Sequence, residues 1–154
     1  MVKKIKIAVV GCGRISAIHF SIIKKLEREL VLKAVCDNNP LVLLDHEKKY
    51  NVKGYSNLEE MLNNEELDLV VLCTPSGLHS KQTCLIASKA MHIITEKPMA
   101  TNWNDALSMI KACDENGVLL FVVKQNRNNP TIKALKRAID EKRFGNIKLI
   151  QLNV

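Results

Sequence analysis

The chain has 154 residues, of which 47% are hydrophobic, 25% charged and 4% aromatic. This composition excludes a disordered or fibrous protein and favours one soluble domain with an aliphatic core. The sequence has no apolar run near the roughly 20 residues of a membrane span, and MVKKIKIAVVG lacks the pattern of a signal peptide. We therefore expect a cytoplasmic protein with no membrane partner.

The net charge of +7 is concentrated near the end of the chain. Residues 121–154 carry eight Lys or Arg against Asp140 and Glu141. The solvent-exposed face of a helix explains such a cluster, and a site for an anionic ligand also fits it. Because no aromatic platform accompanies the charges, we expect no nucleic-acid partner, and a nucleic-acid module is a weaker rival.

The five cysteines are odd in number, widely spaced and without a Cys-x-x-Cys pair. This pattern argues against a disulfide framework and against a zinc site, so we predict no metal. We interpret the cysteines as reduced, mostly buried apolar side chains. The less favoured alternative is a reactive Cys12, since it lies in a glycine turn near a helix start.

Short apolar runs alternate with amphipathic stretches along the chain. The runs are rich in β-branched residues and predict buried strands at 5–10, 30–36, 67–73, 92–95 and 118–123. Between them, apolar residues at helical spacing predict helices. One is marked by Ile15, Ile18, Ile22 and Leu26. Another is predicted over 103–116, where Asn102 would cap the start and Gly117 would end the helix. Because crossovers through helices force parallel pairing, this order predicts an α/β fold with a doubly wound parallel sheet, the Rossmann dinucleotide-binding fold.

The last part of the chain is predicted to lead out of this domain. A helix around 131–142, ended by Gly145, would turn Ile132, Leu135 and Ile139 inward and its basic side chains outward. The strand-like IKLIQLNV then follows. We therefore place the dinucleotide-binding domain at 1–146 and, at 147–154, the first strand leading into an absent substrate domain, so that the sequence reads as a piece of a longer product.

The stretch VVGCGRIS joins the first strand to the first helix. Gly11 permits a tight turn, Gly13 lets the backbone approach a pyrophosphate, and the helix start would bind that group. Ser16 replaces the third glycine of the dinucleotide fingerprint, which weakens the match. Asp37, 21 positions after Ser16, is spaced to bind an adenosine ribose and would repel a 2′-phosphate, so we predict NAD rather than NADP. A capping role in the turn DNNP also fits Asp37.

Two further motifs follow predicted strands. CTPSGLHS would send the chain across the crevice where such sheets bind ligands, and there His79 fits either a cofactor contact or a structural role. Glu96, Lys97 and Pro98 follow HIIT, where Lys97 could hold a substrate hydroxyl or relay a proton, although a surface lysine in a turn fits the spacing too. We predict that the Lys97–Pro98 peptide bond is cis.

Taken together, GCGRIS, CDNNP, TPSGLHS and EKPMAT resemble, in order and spacing, the nucleotide-binding half of the Gfo/Idh/MocA oxidoreductases, and the likeness covers essentially the whole chain. It implies Lys97 as a catalytic residue and a second domain that supplies a catalytic histidine. It also implies a set of cofactor-binding residues, namely Gly11, Gly13, Arg14, Ile15, Asp37, Thr74, Ser76, His79, Glu96 and Lys97.

Residues 121–154 are similar to a narrower group in that family, bacterial dehydrogenases that oxidise C3 of UDP-N-acetyl-glucosaminuronic acid for lipopolysaccharide or other surface polysaccharide synthesis. This likeness implies that Gln125 approaches the nicotinamide, and that Lys97, Asn126 and Arg127 contact a nucleotide-sugar substrate. A full-length protein is expected to be a homo-oligomer, whereas this chain alone should bind NAD and turn over little or nothing. The rival of another class is a non-catalytic NAD sensor or scaffold.

Overall fold

The computed structural model describes residues 3–151, and the chain divides into two compact units, Met1–Val123 and Lys124–Val154. Within the described part of the first unit, six strands form one sheet in the order β3-β2-β1-β4-β5-β6, and every neighbouring pair is parallel. The order runs outward in both directions from β1 and β4. This arrangement confirms the predicted doubly wound α/β fold.

The strands are short and alternate with helices along the chain. They are β1 (Ile5–Val10), β2 (Leu30–Cys36), β3 (Lys53–Tyr55), β4 (Leu69–Leu72), β5 (His92–Thr95) and β6 (Leu120–Val122). The helices of the first unit are α1 (Ser16–Lys25), α2 (Pro40–Tyr50), α3 (Leu58–Asn64), α4 (His79–Ala87) and α5 (Trp103–Glu115). The sequence pattern missed only β3 among these strands, because three residues with a central glycine show no apolar run.

The core lies on both faces of the sheet. Successive residues of β1 alternate between two buried clusters, so Ala8 and Val10 belong to one and Ile7 and Val9 to the other. The first cluster includes Met61 of α3, and the second includes Phe20 of α1. A parallel sheet covered on both faces explains why the chain needs few aromatic residues but many short aliphatic ones.

Helix α1 forms where predicted, but its apolar repeat lies on its outer side. Between 38% and 57% of the surface of Ile15, Ile18, Ile22 and Leu26 is exposed. The buried side instead carries Ser16, Phe20 and Ile23, with His19 half-buried beside them. The spacing therefore predicted the helix without identifying the face that packs on the sheet.

The second unit contains a short 3₁₀ helix (Gln125–Asn128) and α6 (Pro130–Asp140). The side chain of Asn129 caps α6, and Gly145 follows it with a φ of +59°. The prediction of an inward apolar face needs correction, because Ile132 and Leu135 are each 39% exposed and only Ile139 is half-buried. Residues 124–151 contain no strand on which the helix could bury that face.

Residues 147–151 form no strand, so the predicted strand is absent from the part of it that the structure describes, and residues 152–154 lie outside that part. A strand forms only where another strand accepts and donates its backbone hydrogen bonds. The domain boundary at residue 146 stays a prediction. None of the helices within residues 3–151 is long and apolar enough to cross a membrane.

Candidate functional site

A cleft of about 530 Å³ lies at the carboxyl ends of β1, β2 and β4, where the strand order reverses. In open parallel sheets this switch point is the usual place for a ligand. Four of the residues predicted to bind a cofactor line the cleft, namely Gly11, Gly13, Asp37 and Thr74. Sequence reasoning missed several other lining residues, including Ser56, Leu58, Leu78 and Gln82.

The two glycines after β1 are required for different reasons. Gly11 has a φ of +85°, and a Cβ placed there would lie 2.8 Å from the backbone C and O of Cys73 and the N of Thr74. The fold itself therefore demands glycine at position 11. At Gly13 a Cβ would meet nothing within 4 Å, so the protein leaves that space free for a ligand to approach the backbone.

Ser16 replaces the third glycine of the fingerprint without disturbing the turn. Its side chain is fully buried, and its hydroxyl donates to the carbonyl oxygen of Gly13 at 2.6 Å. The backbone N–H of Ser16 donates to the same oxygen at 3.2 Å. A small side chain that folds back onto the turn thus lets α1 pack closely on the sheet, as glycine would.

The amino end of α1 is open. Helices α2, α3, α5 and α6 each begin with an asparagine whose side chain accepts a backbone N–H of the first turn. Within the described residues, α1 has Ile15 at its N-cap position, with no side-chain cap and no acidic residue in its first turn. The Ser16 and Ile18 N–H groups donate to the carbonyl oxygens of Gly13 and Ile15. The partial positive charge of this helix start suits an anion, and the exposed Arg14 lies beside it.

Asp37 has the turn-capping role that its sequence position allowed. Its Oδ2 accepts from the backbone N–H of Cys12 at 2.7 Å, and its Oδ1 accepts from that of Asn39 at 2.8 Å. It therefore stabilises the turn after β2 and ties that turn to the glycine turn. Because each carboxylate oxygen has two lone pairs, both oxygens can still accept a hydroxyl of a ligand in the cleft. The contact with a ribose stays a prediction.

Three buried cysteines surround this end of the cleft, and all five cysteines of the chain are free. Burial raises the pKa of Cys12 and of Cys73 to about 12 and that of Cys36 to about 11. Nucleophilic attack requires the thiolate. The alternative of a reactive Cys12 is therefore disfavoured. Within residues 3–151 no group of three or more His, Cys, Asp or Glu could hold a metal ion.

Thr74 and Gln82 form a polar pair on the wall of the cleft. The Thr74 hydroxyl donates to Gln82 Oε1 at 2.5 Å. Gln82 lies one turn after His79 in α4, and this spacing was the available signal for it. Ser56 and Leu58 carried no comparable signal, because they follow β3, which was itself not predicted.

His79 lies behind the cleft wall. The residue is 1% exposed, with Nδ1 3.0 Å from the carbonyl oxygen of Pro98 and Nε2 2.9 Å from that of Thr74. Both ring nitrogens thus face backbone carbonyls. His79 joins the turns after β4 and β5, which fits the structural role, and the cofactor contact that the resemblance implied stays a prediction.

The Glu-Lys-Pro turn follows β5 directly. Glu96 is 7% exposed, and its Oε1 lies 2.9 Å from Nε2 of His19 in α1. Its Oε2 accepts from the backbone N–H of Lys97 at 3.2 Å. Lys97 is exposed, and the Lys97–Pro98 bond is cis, which confirms that prediction. His19 was missed, because an isolated histidine within a helical repeat carries no functional signal.

Three further predicted residues of the first unit do not line the cleft, namely Arg14, Ile15 and Ser76, and three others belong to the second unit. Ser76 is half-buried in a 3₁₀ turn before α4. Gln125, Asn126 and Arg127 are exposed and belong to the 3₁₀ helix of the second unit. The roles implied for these residues in cofactor or substrate binding stay predictions.

The geometry of the cleft fits a dinucleotide. An open helix start and the free space above Gly13 suit a pyrophosphate, and the Asp37 carboxylate at the same cleft suits a ribose. These groups lie at the strand ends in the order in which a dinucleotide would meet them.

Comparison with known proteins supports this interpretation. The chain is 46% identical to the WlbA dehydrogenase of Bordetella pertussis, crystallised in complex with NADH and UDP-GlcNAcA, with a TM-score of 0.92 over 94% of this chain and 44% of that one. A WlbA dehydrogenase from Chromobacterium violaceum, in complex with the same two ligands, is also 46% identical, with a TM-score of 0.89 over 92% of this chain and 41% of that one.

A curated relative lies further away. Myo-inositol 2-dehydrogenase of Thermotoga maritima is 28% identical over 96% of this chain and 44% of its own length. The chain thus spans less than half the length of each of these relatives. Residues 5–124 match the NAD-binding Rossmann fold of the Gfo/Idh/MocA oxidoreductase family. The chain therefore belongs to the Gfo/Idh/MocA oxidoreductase family, whose NAD-binding Rossmann fold it contains.

Proposed function

We propose that this chain is the NAD-binding part of a dehydrogenase that oxidises C3 of a UDP-N-acetyl-glucosaminuronic acid in surface polysaccharide synthesis. The observation that carries the proposal is the 46% identity to two WlbA dehydrogenases crystallised with NADH and UDP-GlcNAcA. The inositol dehydrogenase of Thermotoga maritima is only 28% identical, which favours the nucleotide sugar over a cyclitol.

The proposed cofactor site runs along the carboxyl edge of the sheet. Gly11, Gly13, Arg14 and Ile15 would surround the pyrophosphate at the start of α1, and Asp37 would bind the adenosine ribose. Thr74 and Ser76 would lie along the middle of the dinucleotide. Glu96 and Lys97, after β5, would lie at the nicotinamide end, together with Gln125.

Lys97 is the proposed catalytic residue. It is exposed at the end of β5, and its backbone N–H is bound by the Glu96 carboxylate. Bound NAD supplies the hydride acceptor. The Lys97 ammonium would donate a hydrogen bond to the oxygen of the hydroxyl on the reacting sugar carbon. It would also relay the hydroxyl proton to the general base, which we expect in the rest of the protein.

The substrate's charge fits the composition of the second unit. A nucleotide sugar with a pyrophosphate and a uronate is strongly anionic, whereas residues 121–154 carry eight Lys or Arg against two acidic residues. Asn126 and Arg127 would contact this substrate. Several of the basic side chains already pair with acidic neighbours, including Lys136 with Asp140 and Arg137 with Glu141, so Arg127 is the stronger candidate.

The test is sugar oxidation by the complete gene product. We expect NAD-dependent formation of the 3-keto sugar from UDP-GlcNAcA, measured by mass spectrometry, and much slower turnover of myo-inositol. Lys97→Met should lower kcat/KM by at least about 100-fold, since general acid–base assistance contributes 10²–10⁴-fold. The matched control is Lys48→Met, because Lys48 is an exposed lysine in the last turn of α2, at the opposite edge of the sheet.

Two results would contradict the proposal. If the protein oxidises myo-inositol but not UDP-GlcNAcA, the substrate is not the nucleotide sugar. Unchanged turnover in Lys97→Met would remove Lys97 from the mechanism. Residues 1–154 alone are expected to bind NAD with little or no sugar oxidation.

A further inference from the structure

His19 and Glu96 meet in the interior, although 77 positions separate them in the sequence. Their side chains are 13% and 9% exposed, and His19 Nε2 lies 2.9 Å from Glu96 Oε1. A carboxylate so far removed from water needs hydrogen-bond donors of its own. His19 is therefore the side chain that makes the buried position of Glu96 tenable.

Glu96 connects three parts of the fold. Its backbone N–H donates to the carbonyl oxygen of Leu72 in β4 at 3.0 Å. Its Oε1 faces His19 on α1, and its Oε2 accepts from the backbone N–H of Lys97 at 3.2 Å. With one oxygen bound to the helix and the other to the next residue, the carboxylate has a single orientation that satisfies both contacts.

The direction of the Lys97 side chain follows from this arrangement. The Cα–Cβ bond of Lys97 leaves the backbone just after the N–H that Glu96 accepts, so a rotation of the Glu96 carboxylate would release the backbone that carries the ammonium. His19 also lies one helical turn after the open start of α1. The same helix would thus face a ligand phosphate with its start, and it supports the lysine turn through His19, one turn further along.

We propose that His19 is a positioning residue for Lys97: by donating a hydrogen bond to Glu96 it fixes the carboxylate that binds the Lys97 backbone, and so aims the ammonium at the reacting sugar carbon. The role of the Lys97 ammonium rests on the proposed function, whereas the support of the Lys97 backbone by Glu96 and His19 does not. The proposed function and the role of His19 can therefore be tested separately.

The experiment uses three variants of the complete gene product. His19→Leu removes the donor at similar volume. His19→Gln keeps an amide N–H close to the position of Nε2. The matched control is His46→Leu, because the His46 side chain is 15% exposed, much like His19, but bonds to the carbonyl of Val42 in its own helix α2.

The first readout is hydrogen exchange at the Lys97 amide, measured by residue-resolved mass spectrometry without substrate. We expect His19→Leu to accelerate this exchange by about 10-fold or more, because the acceptor of the N–H is no longer fixed. His19→Gln and His46→Leu should exchange at the wild-type rate. Exchange in His19→Leu equal to wild type would overturn the inference, whatever the substrate is.

The second readout is the separation of kcat from KM in UDP-GlcNAcA oxidation. Misplacing a catalytic group costs up to about 100-fold in rate, so His19→Leu should lower kcat while KM changes by less than about 3-fold. His19→Gln should recover most of the rate, which a merely structural role would not predict. A His19→Leu kcat at the wild-type value would also contradict the proposal.

If His19→Leu does not fold, two other variants still test the role of His19. His19→Asn keeps a polar amide at the site but is too short to reach Glu96, whereas His19→Gln reaches it. Equal exchange at Lys97 in these two variants would overturn the inference, and faster exchange in His19→Asn alone would support it. If the wild-type protein does not oxidise UDP-GlcNAcA, the proposed function fails, while the exchange comparison still decides the role of His19.

Discussion

The two ends of the carboxyl edge are built in different ways. At the ribose side, formed by the turn Gly11–Gly13 and by Asp37, backbone packs against backbone and the one side chain involved binds N–H groups of adjacent turns. At the lysine side, formed by Glu96, Lys97 and Pro98, two histidines from separate helices make the contacts, the half-buried His19 and the buried His79. The ribose side thus depends on local chain conformation, and the lysine side on long-range side-chain contacts.

This difference predicts opposite sensitivities. A change at the ribose side acts on the backbone and should alter folding or cofactor binding directly. A change in a helix that supports the lysine side should act indirectly, by altering the position of the Glu-Lys-Pro turn. Three experiments on the complete gene product test this contrast.

The largest effect is expected for Gly11→Ala. The added Cβ would lie 2.8 Å from backbone atoms of Cys73 and Thr74 at a φ of +85°, and backbone cannot move aside cheaply. We expect the free energy of unfolding to fall by about 3 kcal/mol, measured by urea denaturation.

The matched control is Gly13→Ala, whose Cβ would meet nothing within 4 Å. That variant should keep the wild-type free energy of unfolding to within about 1 kcal/mol, the usual helix and turn cost of such a change. Its affinity for NADH, measured by calorimetry, should nevertheless fall, because the methyl group would occupy the space left for the pyrophosphate. Equal stability losses in the two variants would refute the distinction drawn between these glycines.

A smaller effect is expected for His79→Leu. The substitution removes both ring nitrogens that contact the carbonyl oxygens of Thr74 and Pro98 and so leaves at least one of these oxygens without its donor, which should lower the free energy of unfolding by about 2 kcal/mol. The folded variant should bind NADH within about 10-fold of wild type, a difference of about 1.4 kcal/mol.

His46→Leu provides the comparison, since its ring contacts a carbonyl only within α2 and should cost less stability. The opposite outcome for His79→Leu, a large loss of NADH affinity at unchanged stability, would restore His79 as a direct cofactor ligand.

The smallest effect is expected for Asp37→Asn. Wild-type protein should bind NADP about 10-fold or more weakly than NAD, because the carboxylate repels the 2′-phosphate. Asparagine removes the charge and keeps an oxygen that can accept from Cys12, so the preference should narrow by about 10-fold, or about 1.4 kcal/mol. Its amide nitrogen cannot accept from the Asn39 N–H, so the free energy of unfolding should fall by about 1 kcal/mol.

Calorimetric titration with both cofactors measures this ratio. Asp45→Asn alters the net charge equally at an exposed position of α2 and should leave the preference as it is. A preference for NADP in the wild-type protein would contradict the role given to Asp37.

The ribose side was readable from the sequence because its determinants are local. Gly11, Gly13 and Asp37 occupy fixed offsets from strand ends, and the strands themselves show as apolar runs. The alternation of strands and helices then dictates the parallel sheet and places these turns at one edge. Even the substitution of Ser16 for glycine was tolerable for a local reason, the hydrogen bond to Gly13.

The lysine side could be predicted from the sequence only in part. The position of Lys97 after a strand and its cis peptide bond could be predicted, but the partners His19 and His79 could not be assigned their roles. A histidine in a helix shows no sign of which carboxylate or carbonyl it will meet 77 or 19 positions away. The same limit explains α1, whose isoleucine repeat lies outside because the inner face is shaped by Ser16, Phe20 and a partnered histidine.

The uncapped start of α1 would link the stability of the protein to the binding of its cofactor. A helix that closes its own first turn with an asparagine keeps that benefit at all times, whereas the start of α1 has no side-chain cap and would gain a further partner only when an anion binds. A ligand that binds only the folded state raises the free energy of unfolding in proportion to the logarithm of its concentration over Kd. Cellular NAD levels would then influence how long the protein survives thermal unfolding and proteolysis, and a cofactor-starved cell would lose it first.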